Sequence, residues 1–140
     1  MRRIAKTDAQ KQLKKAQQET LKRAFETIWR ALDGPKLQEE FEFSGERNWR
    51  FDYAHPASLV AIELEGGTWI GGRHTRGKGY SEDCQKYNAA TLRHWSVFRL
   101  TSDMLADSPV GHLLPIIAFI VSVTRYDDEA LAAVGLEVQG

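Results

Sequence analysis

The stretch LVAIELEGG, Leu59 to Gly67, constrains this chain more than any other. Its aliphatic and β-branched residues mark a strand, and Gly66-Gly67 end it. Side chains alternate across a strand, so Val60, Ile62 and Leu64 share one face while Ala61, Glu63 and Glu65 share the other. Two carboxylates therefore project from an otherwise apolar strand. Upstream, WRFDY alternates in the same way, with Trp49, Phe51 and Tyr53 on one face and Arg50 and Asp52 on the opposite one. If the two strands pair as an antiparallel hairpin in a register that sets Asp52 against Ala61 or Glu63, all three acids converge. A register slipped by one residue separates them.

Three facing carboxylates repel, and burying charge is costly, so protons or a cation must neutralise them. Hard oxygen ligands suit Mg²⁺ or Mn²⁺, which bind through a few carboxylates and keep open positions for substrate phosphates. The plainer alternative is a solvated edge strand whose Glu63 and Glu65 pair with Arg50, Arg73 or Arg76. A lone E-x-E favours that alternative. Asp52 on the preceding strand, with a glycine-rich loop and a basic helix behind, shifts the balance toward a metal site.

The remaining pattern is that of one α/β domain. Leu13, Leu21, Ala24, Phe25, Ile28, Trp29 and Leu32 recur at helical spacing until Gly34-Pro35 stops them. Residues 1–24 read as a basic helical arm, partly disordered when alone because its first half can bury little of itself, and 25–140 read as the folded domain. Strands are expected over Glu40–Phe43, Asn48–Tyr53, Leu59–Glu65 and Ser96–Leu100, and a helix over about Ser81–Arg93. In that helix Tyr80, Cys84, Tyr87 and Thr91 predict the packed face, and Asp83 and Lys86 predict an ion pair with each other. Thr101-Ser102-Asp103 reads as the cap of a further helix. Leu113–Val123 is apolar but short, which fits buried core or the face of a homodimer and not a membrane span.

Net charge is zero, so no overall basic field announces nucleic acid. The distribution is uneven, however, because Arg2, Arg3, Lys6, Lys11, Lys14, Lys15, Lys22, Arg23 and Arg30 outnumber the acids of the first 30 residues. The single cysteine, Cys84, excludes an intramolecular disulfide and fits a reducing cytoplasm. The basic start leads into a polar segment, unlike a secretory signal.

GGRHTRGKGY, Gly71 to Tyr80, offers a second chemistry. Gly72, Gly77 and Lys78 have the spacing of a phosphate-binding P-loop, but position 79 is Gly where that loop needs the hydroxyl that holds Mg²⁺. The same glycines also let a backbone turn away from the acidic strand and approach a phosphate closely.

The run WRFDYAHPASLVAIELEGGTW, followed by RHTRGKGY and DCQKYNAATLRHWSVFRLT, resembles the phage-encoded endonuclease-like proteins of the restriction-endonuclease superfamily, the PD-(D/E)XK nucleases. Within it the run is most similar to the branch of the very-short-patch-repair endonucleases. The likeness covers about Phe25 to Met104 and rests on D-x₁₀-E-x-E-G-G-x-W combined with H-x₅-Y-x₂-D-x₂-K. It implies a restriction-endonuclease-like fold, a four-stranded mixed sheet flanked by helices, and Mg²⁺-dependent (or Mn²⁺-dependent) hydrolysis of DNA phosphodiesters by an activated water. The cytoplasm of a bacterium or of a phage-infected host is the implied location. Asp52 and Glu63 match the family's metal-binding acids, with Glu65 as a third. Glu65 also stands where the wider superfamily has lysine, so a cation must come from elsewhere: His74, Arg76, Lys78 and Lys86 are the candidates. Arg73, Arg76 and Lys78 in the loop, and Lys11, Lys14 and Lys15 in the arm, are the expected DNA contacts. The alternative is a catalytically weak nucleic-acid-binding or accessory protein that keeps the fold.

Overall fold

The computed structural model describes residues 7–66 and 78–135. Helix α1 (Asp8–Ala31) leads into strands β1 (Gln38–Glu42) and β2 (Arg50–His55), a single 3₁₀ turn (Pro56–Ser58) and strand β3 (Val60–Glu65). Helix α2 (Lys78–Leu92), strand β4 (Ser96–Thr101) and helices α3 (Ser102–Asp107) and α4 (Pro109–Ala133) follow. The strands form one sheet in the order β1-β2-β3-β4. The first three form an antiparallel meander, and β4 runs parallel to β3 after the crossover through α2. The chain is thus an α/β protein with a four-stranded mixed sheet and helices on both faces.

Each face has its own core. Phe25 and Trp29 of α1, Leu105 of α3 and Leu113, Ile116 and Ile120 of α4 pack against Tyr53, Val60, Ile62, Leu64 and Leu100. On the opposite face Phe51, Ala54 and Ala61 pack against Ala90 of α2, with Phe41, Phe43, Trp95 and Val97 around them. The alternation expected in β3 therefore holds, because Val60, Ile62 and Leu64 look one way and Ala61 the other.

In β2 the alternation breaks. Phe51 and Tyr53, expected on one face, belong to different cores. The break falls at Asp52, whose position opposite Glu40 follows from the flanking Glu39–Tyr53 and Phe41–Phe51 pairs. Glu40 has a left-handed backbone there (φ 49°), which a non-glycine residue adopts at a cost. Phe51 packs on the α2 face with Ala54 and Ala61, the face to which Asp52 also belongs by the parity of Ala54.

Two expectations about α2 also change. In α2 the buried residues are Ala89 and Ala90, Tyr80 is exposed, and Lys86 bonds Glu63 and not Asp83. Helix α1 runs unbroken through residue 24, and Leu21 and Phe25 are both core members, so the exposed part of the arm is its first half. The cap foreseen at Thr101 is present, with its hydroxyl accepting from the Met104 N–H at 3.3 Å. Among the described residues α4 is the one helix long and apolar enough, by length and composition, to cross a membrane. Three of its side chains are nevertheless members of the core.

Trp29 closes the α1 end of the larger core, donating its indole N–H to the Pro35 carbonyl at 2.8 Å. A Cβ on Gly34 would collide with that indole, whereas one on Gly79 meets nothing within 4 Å. Gly34→Ala should therefore destabilise the protein by about 1–3 kcal/mol. Gly79→Ala should be neutral or stabilise it by about 0.4–1 kcal/mol. Chemical denaturation of the two variants checks the contrast, and equal midpoints would contradict this packing.

Candidate active site

On the α2 face of β3 sits Glu63, only 7% exposed although it is a carboxylate. Burial raises its pKa to about 7, and nearby Asp52 adds to the rise, while the Lys86 ammonium acts against it. Lys86 reaches down from α2 and donates to the Glu63 Oε1 at 2.6 Å. The same ammonium lies 5.7 Å from the ring centre of Phe51 and 5.6 Å from that of Tyr87, so its charge is lodged between aromatic rings as well as against a carboxylate.

Asp52 comes from the neighbouring strand. Residue pairing between β2 and β3 is observed from His55–Val60 to Tyr53–Ile62, and one further step of that register sets Asp52 against Glu63. The strand ladder gives way there to a side-chain bond: the Asp52 Oδ2 accepts the Leu64 N–H at 2.7 Å. The observed pairs have the parity that convergence of the two acids requires.

Glu65 is two residues further along β3, half-exposed, and turned to a different cation. Arg99 of β4 donates its Nε to the Glu65 Oε1 at 2.7 Å, and the Arg99 guanidinium lies over the Tyr87 ring at 4.6 Å. Burial, followed by the charges of Glu63 and Glu65, pushes the Tyr87 hydroxyl well above its ordinary pKa. Among the described residues no three Asp, Glu, His or Cys side chains stand close enough to share a metal ion. The structure therefore brings two of the three expected acids together and places the third beside them on an arginine.

The other expected residues divide by position. Among the described residues Lys86 is the candidate cation found at the acids. Lys78 is the first residue of α2, and its side chain, like Arg73, His74 and Arg76, lies outside the described residues. Lys11, Lys14 and Lys15 are exposed on the first half of α1. Two acids on neighbouring elements are engaged away from the pair: Glu26 accepts the Tyr53 hydroxyl at 2.6 Å, and Glu40 pairs with Lys22 at 3.5 Å. Sequence reasoning missed Arg99. Its signal was the parallel register of β4, which sets Arg99 against Glu63 and so onto the acidic face.

Asp52 and Glu63 form a hard-oxygen donor pair that fits Mg²⁺ or Mn²⁺, ions commonly held by one or two carboxylates plus water and substrate phosphate. Comparison with protein families, with curated proteins and with solved structures finds no match to this chain.

The electrostatics make a prediction without any ligand. A folded-state pKa of about 7 against an ordinary 4.5 means that protonated Glu63 stabilises the fold. That contribution is complete below about pH 4.5 and is lost as pH rises through 7. Its size is on the order of 3 kcal/mol at 1.36 kcal/mol per pKa unit. Denaturation at pH 4.5, 6, 7 and 8 should show a flatter stability profile for Glu63→Gln than for the unmodified chain. Parallel profiles would mean that Glu63 is not the titrating group.

Proposed function

We propose that this chain is a divalent-metal-dependent endonuclease of restriction-endonuclease-like fold that hydrolyses DNA phosphodiesters. One observation carries the reading: Asp52 of β2 lies near the buried Glu63 of β3, and Lys86 of α2 donates to that carboxylate, a cation where position 65 has an acid. The antiparallel meander followed by a crossover helix and a parallel strand fits the mixed sheet that the likeness to PD-(D/E)XK nucleases implies. A phosphate-cradling P-loop gives no reason for two acids on the strand that leads into it.

Each residue then has a task. Asp52 and Glu63 would hold the metal, Asp52 kept in place by the Leu64 N–H. Glu63 must lose its proton to do so, which ties metal affinity to pH values near and above 7. When bound, Mg²⁺ supplies charge neutralisation at the scissile phosphate and lowers the pKa of a coordinated water. Lys86 balances Glu63 before substrate arrives, and its ammonium is within reach of charge that grows on the phosphoryl oxygens afterwards. Arg99 and Tyr87 keep Glu65 aside, so that it does not add a third negative charge to the pair. Lys11, Lys14 and Lys15, exposed along α1, are suited to track the phosphate backbone.

A second reading, a catalytically weak nucleic-acid-binding protein that retains this fold, is favoured by the engagement of Glu65 with Arg99 at the place where the superfamily has its lysine. Incubation with supercoiled plasmid in Mg²⁺, Mn²⁺ or chelator separates the two. The nuclease reading expects nicking or linearisation that needs the metal, rises with pH through about 7 as Glu63 ionises, and vanishes in Asp52→Asn. Lys86→Met should slow cleavage of bound DNA by about 10²–10³-fold, the usual loss for one preorganised charge donor. Binding without metal-dependent cleavage under all these conditions would leave the second reading standing.

The arm should separate binding from chemistry. Replacing Lys11, Lys14 and Lys15 with Ala should weaken DNA binding for all sequences alike and flatten the salt dependence by about 0.9 per lost phosphate contact. Single-turnover cleavage of bound DNA should be unchanged. A slower chemical step with unaltered affinity would remove the arm from the binding surface.

A further inference from the structure

The hairpin that carries Asp52 also carries a run of aromatic rings for which the proposed chemistry has no use. Phe43, just after β1, stacks on Phe51 with ring centres 4.2 Å apart and 7° between planes. Its relation to Trp49 is also near-parallel, at 6.4 Å and 15°. Phe51 in turn lies under the ammonium of Lys86, which bonds Glu63. The rings thus form a continuous path from the buried carboxylate to the tip of the β1–β2 loop, with no step longer than 6.4 Å.

At the outer end the path changes character. Phe51 is fully buried, but Trp49 is only half-buried and Arg47 is exposed. The Arg47 guanidinium lies over the Trp49 ring at 4.8 Å, and its Nη1 donates to the Gln85 Oε1 of α2 at 3.0 Å. Gln85 is a neutral acceptor. Among the described residues no carboxylate stands at ion-pair distance from Arg47, and the adjacent Glu46 is directed to Arg93 at 3.9 Å. Its charge is therefore available to a phosphate.

Reinforcing a hairpin tip needs Phe43 against Trp49 and nothing more. A cation laid over the indole and steadied by an amide from another element is a different arrangement. Every nucleobase has a π-face that stacks on tryptophan and on a guanidinium plane alike. A fully paired duplex keeps its bases stacked on each other and offers none to this surface.

We propose that Arg47 and Trp49, at the tip of the β1–β2 hairpin, form a binding site for an unpaired nucleobase, so that the DNA delivered to Asp52 and Glu63 has an unstacked base near the bond to be cut. The cutting rests on the nuclease reading; base capture by Trp49 does not, and the two can be tested apart.

The test uses the full chain in Ca²⁺, so that binding is read without turnover. Two fluorescein-labelled duplexes are compared at one salt concentration: one fully paired, and one with a single unpaired 2-aminopurine. The unpaired-base duplex should bind on the order of tenfold more tightly, as one stacking contact provides, and its 2-aminopurine fluorescence should change on binding. Trp49→Leu should erase both effects while leaving the affinity for the paired duplex and the melting temperature nearly unchanged. Trp49→Phe should restore most of the preference. If Trp49→Leu does not fold, Arg47→Gln carries the test: it should weaken binding of the unpaired-base duplex more than of the paired one. Equal affinities for the two duplexes, a preference that survives Trp49→Leu, or an equal loss on both duplexes in Arg47→Gln would each overturn the proposal. A Trp49-dependent preference in a protein that cuts neither duplex in Mg²⁺ would uphold base capture and reject the nuclease reading.

Discussion

A carboxylate buried beneath a helix has few ways to be tolerated, and the ion pair between Glu63 and Lys86 is the one this fold uses. Much of the α2 face follows from it. Helix α2 must dock where Lys86 reaches 2.6 Å from Glu63, which places Ala90 on Ala61 and Phe51. Phe51 and Tyr87 must flank the ammonium. Asp52 must stay close without adding a second uncompensated charge, and the Leu64 N–H provides it with a hydrogen bond. Removing Lys86 alone would leave an unpaired buried charge or force Glu63 to keep its proton.

Such a pair is a poor way to gain stability. Well-packed apolar side chains of the same volume are often as good or better, because desolvating two charges offsets most of their attraction. A buried carboxylate poised near neutrality, next to a second carboxylate and one lysine, is instead what an ion-binding, phosphate-handling site would require. The aromatic path from Lys86 to Arg47 extends the same surface outward along the hairpin, from a place where charge is neutralised to a place where a base can stack.

Much of this was legible in the sequence because strand parity and turn chemistry are local. The alternation in LVAIELE placed Glu63 opposite the apolar residues of β3, and the glycine pair marked the end of that strand. The positions of the strands, the further strand after α2 and the cap at Thr101 were legible for similar reasons. Less local properties were not. The break at Asp52 falls opposite a left-handed Glu40, and glutamate carries no mark of that conformation. The partner of Glu65 is an arginine 34 residues away, brought in by a parallel crossover whose register no turn fixes. The packed face of α2 was misread because Tyr80 and Thr91 suggested an apolar stripe, whereas Ala89 and Ala90 make the close approach to the sheet. Four candidate cations were equivalent by spacing, and only the three-dimensional arrangement puts Lys86 on Glu63.

The central claim is that Asp52 and Glu63 together hold a divalent ion, and that Glu63 must give up a proton to do so. Calorimetric titration of Mn²⁺ in two buffers of different ionisation enthalpy measures affinity and proton release at once. With Glu63 titrating near 7, binding at pH 6 should release close to one proton per ion, falling toward none at pH 8.5, and Asp52→Asn should abolish binding. Absence of binding at pH 8.5, or binding that neither releases protons at pH 6 nor depends on Asp52, would contradict the account.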